Sequence, residues 1–269
     1  MTASANQYIH GYSPREVQRL VEQAGILENI LHERTFYPPG SLALEAGCGV
    51  GAQTAILLRR SPGARLISMD ISQESLAAAA RHVRDGVFIQ ADAAAPPMRD
   101  GSFDHVFVCF LLEHLAKPQD AIAHFFRLLR PGGAITVIEG DHEACVWTPW
   151  TAPSAAVWRA MIRAQQDMGH DPLIGRRLYS LLAAGGFEVT RSEPRVVHGD
   201  GADPALLDAV VNKIIVPMAM TARERALAAG YLTSQEWEQG VKDIQRTALA
   251  PGGAFFYSWF KAVGRKPPA

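Results

Sequence analysis

The sequence predicts an α/β protein built on a doubly wound, mostly parallel sheet, with a helix in front and a helical insertion near the end. Three observations predict it. Short strands alternate with helices between residues 41 and 140. Those strands are apolar along most of their length, as strands covered on both faces are. A glycine-rich turn, Gly47-Cys48-Gly49-Val50-Gly51, stands where the first strand becomes a helix.

The elements follow in order. Ser13-Pro14-Arg15-Glu16 is a capping-box helix start, with Ser at the cap and Pro at the first position. Val17, Leu20, Val21, Ala24, Leu27, Ile30 and Leu31 recur at helical spacing, so about 14–33 reads as one amphipathic helix. Pro38-Pro39-Gly40 ends it. Leu42–Ala46 is a buried strand leading into the glycine turn, and Gln53–Arg60 a helix. Arg65–Asp70 is a strand, Gln73–Val83 a helix, Val87–Asp92 a strand and Phe103–Phe110 another. Pro118–Leu129 is a helix, stopped by Arg130-Pro131-Gly132-Gly133, and Ala134–Glu139 is the fifth strand. Beyond Gly140 the alternation is lost: Asp141-His142-Glu143 reads as a polar loop, and Trp147 and Trp150 flank Pro149 in a loop. A helix at about 153–168, another at Arg176–Ala184 and a strand at Phe187–Val197 come next. Residues 203–248 are helical, broken at Pro217 and Gly230, and Phe255–Lys261 is the last strand. The expected division is a helical cap over 1–37 and one domain over 38–269, with helical insertions at about 141–175 and 203–248 for an acceptor.

Composition narrows the class. The chain has 269 residues, 48% hydrophobic and 20% charged, which excludes a mostly disordered protein. A formal net charge of −1 argues against a nucleic-acid or membrane-surface partner. Cys48, Cys109 and Cys145 have neither a disulfide pattern nor zinc spacing, so no metal is expected and the cytoplasm is the expected compartment. No apolar run reaches about 18 residues, so no membrane span is expected. The 21 Arg against 5 Lys, with abundant Ala, suggest a GC-rich genome.

The chemistry gathers at strand ends. Glycines at 47, 49 and 51 let the backbone turn sharply and let a ligand approach main-chain atoms. The spacing is GxGxG with Glu45 two residues ahead, unlike the GxGxxG of dinucleotide sites. Glu45 repels a pyrophosphate and suits a cationic ligand. Asp70, ending the second strand, can accept from both hydroxyls of a ribose. Asp92 can accept from an exocyclic adenine amine, with the Ala93 N–H toward a ring nitrogen. An acid ending a strand is often a solvated cap. Three such features on successive strands point to a nucleoside ligand.

Leu44–Gly51, Asp70, Ala91-Asp92-Ala93, Phe103-Asp104, Leu112-Glu113-His114-Leu115 and Leu129–Gly133 resemble, in order, the motifs of class I S-adenosylmethionine-dependent methyltransferases. The resemblance covers about residues 40–140. It implies a Rossmann-like seven-stranded sheet with the last strand antiparallel, and S-adenosylmethionine as cofactor, released as S-adenosylhomocysteine. It implies that Glu45, Gly47, Cys48, Gly49 and Gly51 pack on the methionyl part. It also implies Asp70 on the ribose, Ile71, Asp92 and Ala93 on the adenine, and Cys109 and Phe110 near the sulfonium. Gln53 and Ser75 are further candidates.

Acceptor candidates lie after strands four and five and at the N-terminus: Tyr8, Tyr12, Glu113, His114, Asp141, His142, Trp147 and Trp150. His114, Glu139, His142 and Tyr12 are the candidates for catalysis. Each has a plain alternative: a motif residue with a structural role, a polar loop, or core tryptophan. No Asp/Asn-Pro-Pro-Tyr/Phe run or Pro-Cys nucleophile is present, which disfavours DNA and protein-amide acceptors. A small, largely apolar acceptor is expected, including C-methylation of an alkene, where aromatic walls shield a cation. The segment Tyr8–Glu16 and the turn Glu139–His142 resemble a subgroup that includes the teleocidin-pathway C-methyltransferase of actinomycetes. O- or N-methylation, a nicotinamide-dependent oxidoreductase and a non-catalytic cofactor-binding module stay open as rivals. A homo-oligomer is compatible with the N-terminal helix.

Overall fold

The computed structural model describes residues 14–269, with side chains from Val17 onward. Tyr8 and Tyr12 lie outside the described residues. The helices are α1 (Pro14–Leu31), α2 (Ala52–Arg60), α3 (Gln73–His82), α4 (Pro118–Leu128), α5 (Ala152–Gln166), α6 (Leu178–Ala184), α7 (Pro204–Ala209), α8 (Val216–Thr221), α9 (Arg223–Ala228) and α10 (Ser234–Arg246). The strands are β1 (Leu42–Ala46), β2 (Arg65–Asp70), β3 (Val87–Gln90), β4 (Phe103–Cys109), β5 (Leu129–Thr148), β6 (Glu188–Gly199) and β7 (Ala254–Arg265).

The strands form one seven-stranded sheet in the order β3-β2-β1-β4-β5-β7-β6. β1 pairs in parallel with β2 and β4, β2 with β3, and β4 with β5. β7 runs the other way. Gly132, early in β5, donates its N–H to Lys266 O just past β7, and Lys266 N–H donates to Gly133 O. At the opposite end of β5, Trp147 stacks on Phe255 at the start of β7. The doubly wound, mostly parallel sheet with one reversed strand is therefore the fold the sequence predicts. Strand order reverses between β1 and β4, and the carboxyl ends flanking that switch are where such sheets bind ligands.

The chain divides into two compact units. One holds Glu28–Gly140, Leu173–Arg195 and Trp259–Ala269. Its core is built from the apolar strands and from α4, whose Ala121, Ile122, Phe125 and Leu128 recur at helical spacing and are fully buried. They pack with Leu44, Val106, Val108, Ile135, Val137, Leu178 and Leu182. The other unit holds, of the described residues, those up to Leu27 together with Asp141–Pro172 and Val196–Ser258. There Trp147, Trp158, Trp237, Phe255 and Tyr257 are buried. Thr151 caps α5 by accepting from Ser154 N–H, and its hydroxyl donates to Asp243 Oδ2 of α10 at 2.7 Å.

Three expectations need correction. The fifth strand does not stop at Glu139 but continues to Thr148, so Asp141-His142-Glu143 is strand, not loop, and Trp147 lies in the strand rather than a loop. The polar residues hide a period of two: Cys145 and Trp147 are buried while Val146 and Thr148 are exposed. The third strand ends at Gln90, which leaves Asp92 two residues beyond it. Pro217 does not break the late helix. It sits at the start of α8, after a π-helical turn over Val210–Ile215 that shifts the hydrogen-bond register where the proline N–H is missing. As a result Pro204–Thr221 is a continuous helical run of 18 residues with mean hydropathy 1.3. Although it is long and apolar enough to cross a membrane, its Leu207, Val210, Val211, Ile214 and Ile215 are buried in the unit.

Candidate functional site

The end of β1 supplies the first acid. Glu45 faces Ser68 of β2 in register, and its Oε2 accepts the Ser68 hydroxyl at 2.7 Å and the Thr54 hydroxyl at 2.6 Å. Only 2% of Glu45 is exposed, and burial pushes its carboxyl up to about 7. The turn after it is held by main-chain bonds: Gly47 and Cys48 N–H both donate to Met69 O at the end of β2. Gly47 has a positive φ, and a Cβ there would stand 2.8 Å from the Leu111 side chain. Gly49, also at positive φ, has nothing within 4 Å of where a Cβ would be, so this side of the turn is open.

Asp70 ties the turn to β2. Its Oδ2 accepts from Gly49 N–H at 2.8 Å and its Oδ1 from Ser72 N–H at 2.9 Å. Burial raises its pKa, against the pull of those N–H groups. Ile71 beside it is 52% exposed. Ser75 is buried in the first turn of α3, where its N–H donates to the capping Ser72 hydroxyl. Asp92 is exposed and accepts from Ala94 N–H at 2.8 Å, while Ala93 is buried.

The loop after β4 adds Cys109 and Phe110. Cys109 is buried, which pushes its thiol up. Phe110 holds a left-handed φ of 56° and donates its N–H to Ile138 O of β5. Glu113 and His114 form a short turn, with His114 Nε2 3.5 Å from Glu113 Oε1. Gln53, at the start of α2, meets His32 Nε2 through its Oε1 at 2.6 Å. His32 stacks on Phe107, and burial holds it down at about 4.

Glu139 is fully buried, and its Oε1 accepts from Leu111 N–H at 3.0 Å and Leu112 N–H at 2.7 Å. In the other unit, Asp141 and His142 are buried. His142 Nδ1 meets Tyr257 Oη at 2.5 Å, its carbonyl accepts from Trp158 Nε1–H at 2.6 Å, and burial holds its ring at about 4. Trp147 is core, 1% exposed, whereas Trp150 is half exposed and leans on it at 4.3 Å. Among the described residues no cluster of three metal-ligating side chains occurs.

Glu45, Gly47, Cys48, Gly49, Gly51, Gln53, Asp70, Ile71, Cys109, Phe110, Glu113 and His114 thus belong to one unit, at or just past the carboxyl ends of β1, β2 and β4. Three polar partners were not foreseen. Ser68 was readable from the strand register opposite Glu45, and Thr54 from its place one turn into α2. His32 carried no sequence signal.

Known proteins give this arrangement its class. The family described as a methyltransferase domain matches residues 44–137. An uncharacterized 37.1 kDa protein in transposon TN4556 of Streptomyces fradiae is 33% identical over 209 residues, 74% of this chain and 57% of that protein. Trans-aconitate 2-methyltransferase of Escherichia coli O1:K1 / APEC is 28% identical over 167 residues, 61% of this chain and 63% of the relative. The chain therefore spans less than two thirds of the length of these curated relatives. Among solved structures, Haemonchus contortus phosphoethanolamine N-methyltransferase 2 with phosphomonomethylethanolamine and S-adenosylhomocysteine has a TM-score of 0.60 at 14% identity. That likeness covers 98% of this chain and 61% of the other, and it is one of fold.

The chain carries a class I S-adenosylmethionine-dependent methyltransferase domain on a Rossmann-like sheet. S-adenosylmethionine is the cofactor of that domain class. The residues fit it: an open glycine turn, an acid bonded to the turn's own N–H, and an exposed apolar side chain next to that acid.

Proposed function

We propose that this protein transfers a methyl group from S-adenosylmethionine to a small, largely apolar metabolite. One observation carries the reading most: Asp70 accepts from Gly49 N–H and so binds the end of β2 to the open glycine turn. Each Asp70 oxygen keeps a second lone pair, and in this reading those accept the two ribose hydroxyls. Ile71 covers the adenine, while Asp92 and Ala93 meet its edge. The Gly47–Gly51 turn takes the methionyl part. Cys109 and Phe110 line the sulfur end.

When bound, the cofactor supplies a methyl group already activated by a sulfonium charge. The chain's task is then to bind, orient and exclude water. Two catalytic candidates give little support for a strong base: Glu139 is fully buried, and His142 is buried against Tyr257. This favours an acceptor that reacts before it loses a proton. C-methylation of a prenyl-derived alkene, followed by ring closure of the resulting cation, is the sharpest form of the proposal. The resemblance of Tyr8–Glu16 to the teleocidin-pathway subgroup points the same way. The three buried thiols suit a reducing cytoplasm.

Calorimetry with S-adenosylhomocysteine tests the cofactor site. Asp70→Ala should weaken binding about 100-fold or more, since charged hydrogen bonds are worth roughly 1.5–3 kcal/mol each. Wild-type affinity in that variant would sink the role given to Asp70. A metabolite screen with labelled S-adenosylmethionine and mass spectrometry tests the acceptor, and label on oxygen or nitrogen would replace the C-methylation reading.

A further inference from the structure

We infer that Glu139 is a positioning residue: its carboxyl clamps the turn at 110–112 and through it the glycine turn, and it takes no proton from the acceptor. The inference rests on the cofactor site proposed above. Glu139 is 0% exposed, so no acceptor reaches it. Its Oε1 is occupied by two consecutive main-chain donors, Leu111 N–H and Leu112 N–H. Its Oε2 is buried with no hydrogen-bond partner among the described residues.

The clamped turn needs holding. Phe110, just before the two donors, sits at a φ of 56°, a region that disfavours side chains with a Cβ. Ile138 O takes the Phe110 N–H, so two consecutive residues of β5 fix three consecutive residues after β4. The hold passes further, because the Leu111 side chain fills the space where a Cβ on Gly47 would lie, 2.8 Å away. A shift of Leu111 therefore opens or crowds the first glycine of the cofactor turn.

The same geometry disfavours charge on the carboxyl. Burial, followed by the nearby Glu113 charge, pushes Glu139 well above the usual carboxylate range. An amide is then a close substitute: Glu139→Gln keeps an oxygen for Leu111 and Leu112 and carries no charge.

The test uses the full chain and S-adenosylhomocysteine as probe, with calorimetry and amide hydrogen exchange. Glu139→Gln should bind within about threefold of wild type and keep slow exchange at Leu111 and Leu112. Glu139→Ala should bind at least about tenfold more weakly and exchange faster there. Equal losses in both variants, or wild-type binding in Glu139→Ala, would overturn the proposal. Methyl transfer abolished in Glu139→Gln with binding intact would also overturn it, since that is the behaviour of a base. If Glu139→Ala does not fold, fast exchange at the two leucines in Glu139→Gln refutes the clamp alone. A wild type that does not bind the probe refutes the cofactor reading instead, and the exchange arm still decides the clamp.

Discussion

Glu45 links the sheet's interior to the pH of the solution. Its carboxyl titrates at about 7 when folded, against 4.5 for the ordinary group. The folded chain thus holds a proton that the unfolded chain has lost between those values. The stability this gives is complete below about pH 4.5 and is lost as pH rises through 7, by about 3 kcal/mol for this one group. Glu45→Gln should remove that decline. In urea unfolding the variant should gain on wild type between about pH 5 and about pH 8, and a constant difference would show that Glu45 is ionised throughout. At this scale the sequence showed the acid and its strand but not its state. Neutrality comes from burial, against the pull of the Ser68 and Thr54 hydroxyls, and both effects exist only after β1, β2 and α2 have assembled.

Among elements, β7 is held from within. Lys261 is 1% exposed and donates to Leu31 O, Glu33 O and Thr35 Oγ1, which fastens the end of α1 and the chain after it to the strand. Its burial lowers the ammonium to about 8. Lys261→Met leaves three oxygens without their donor and should cost about 3 kcal/mol in chemical denaturation. The two loop tryptophans predicted from the sequence now separate. Trp147→Ala should cost about 3–5 kcal/mol, because the ring is core and its Nε1–H donates to Ser154 Oγ. Trp150→Ala should cost under about 1 kcal/mol, since half of that ring is already in water. Thermal unfolding of the two variants checks the contrast. The sequence missed this difference because Asp141-His142-Glu143 resembles a polar loop, and burial of His142 depends on Tyr257, more than 100 residues away.

Across the whole molecule, alternation and motif order made β1 to β5 readable, because each of those strands pairs with another strand of residues 42–148. The family resemblance implied that the last strand is antiparallel, but its place between β5 and β6 appears only in the structure. No local pattern says that a strand 54 residues beyond β6 will separate it from β5. Neither unit is a continuous stretch of chain, since the division is crossed after Leu27, Gly140, Pro172, Arg195 and Ser258. Deletion of residues 254–269 should therefore do more than shorten the sheet. It strips β5 and β6 of their common neighbour, and circular dichroism and gel filtration should report a misfolded or aggregated protein.

The position of β7 also bears on how the protein is made. A nascent chain emerging from the ribosome presents β6 long before β7, and β6 has no place in the sheet until β7 arrives. Through that interval β6 is an unpaired strand beside an unfinished sheet, the condition in which cellular chaperones protect new chains from joining one another.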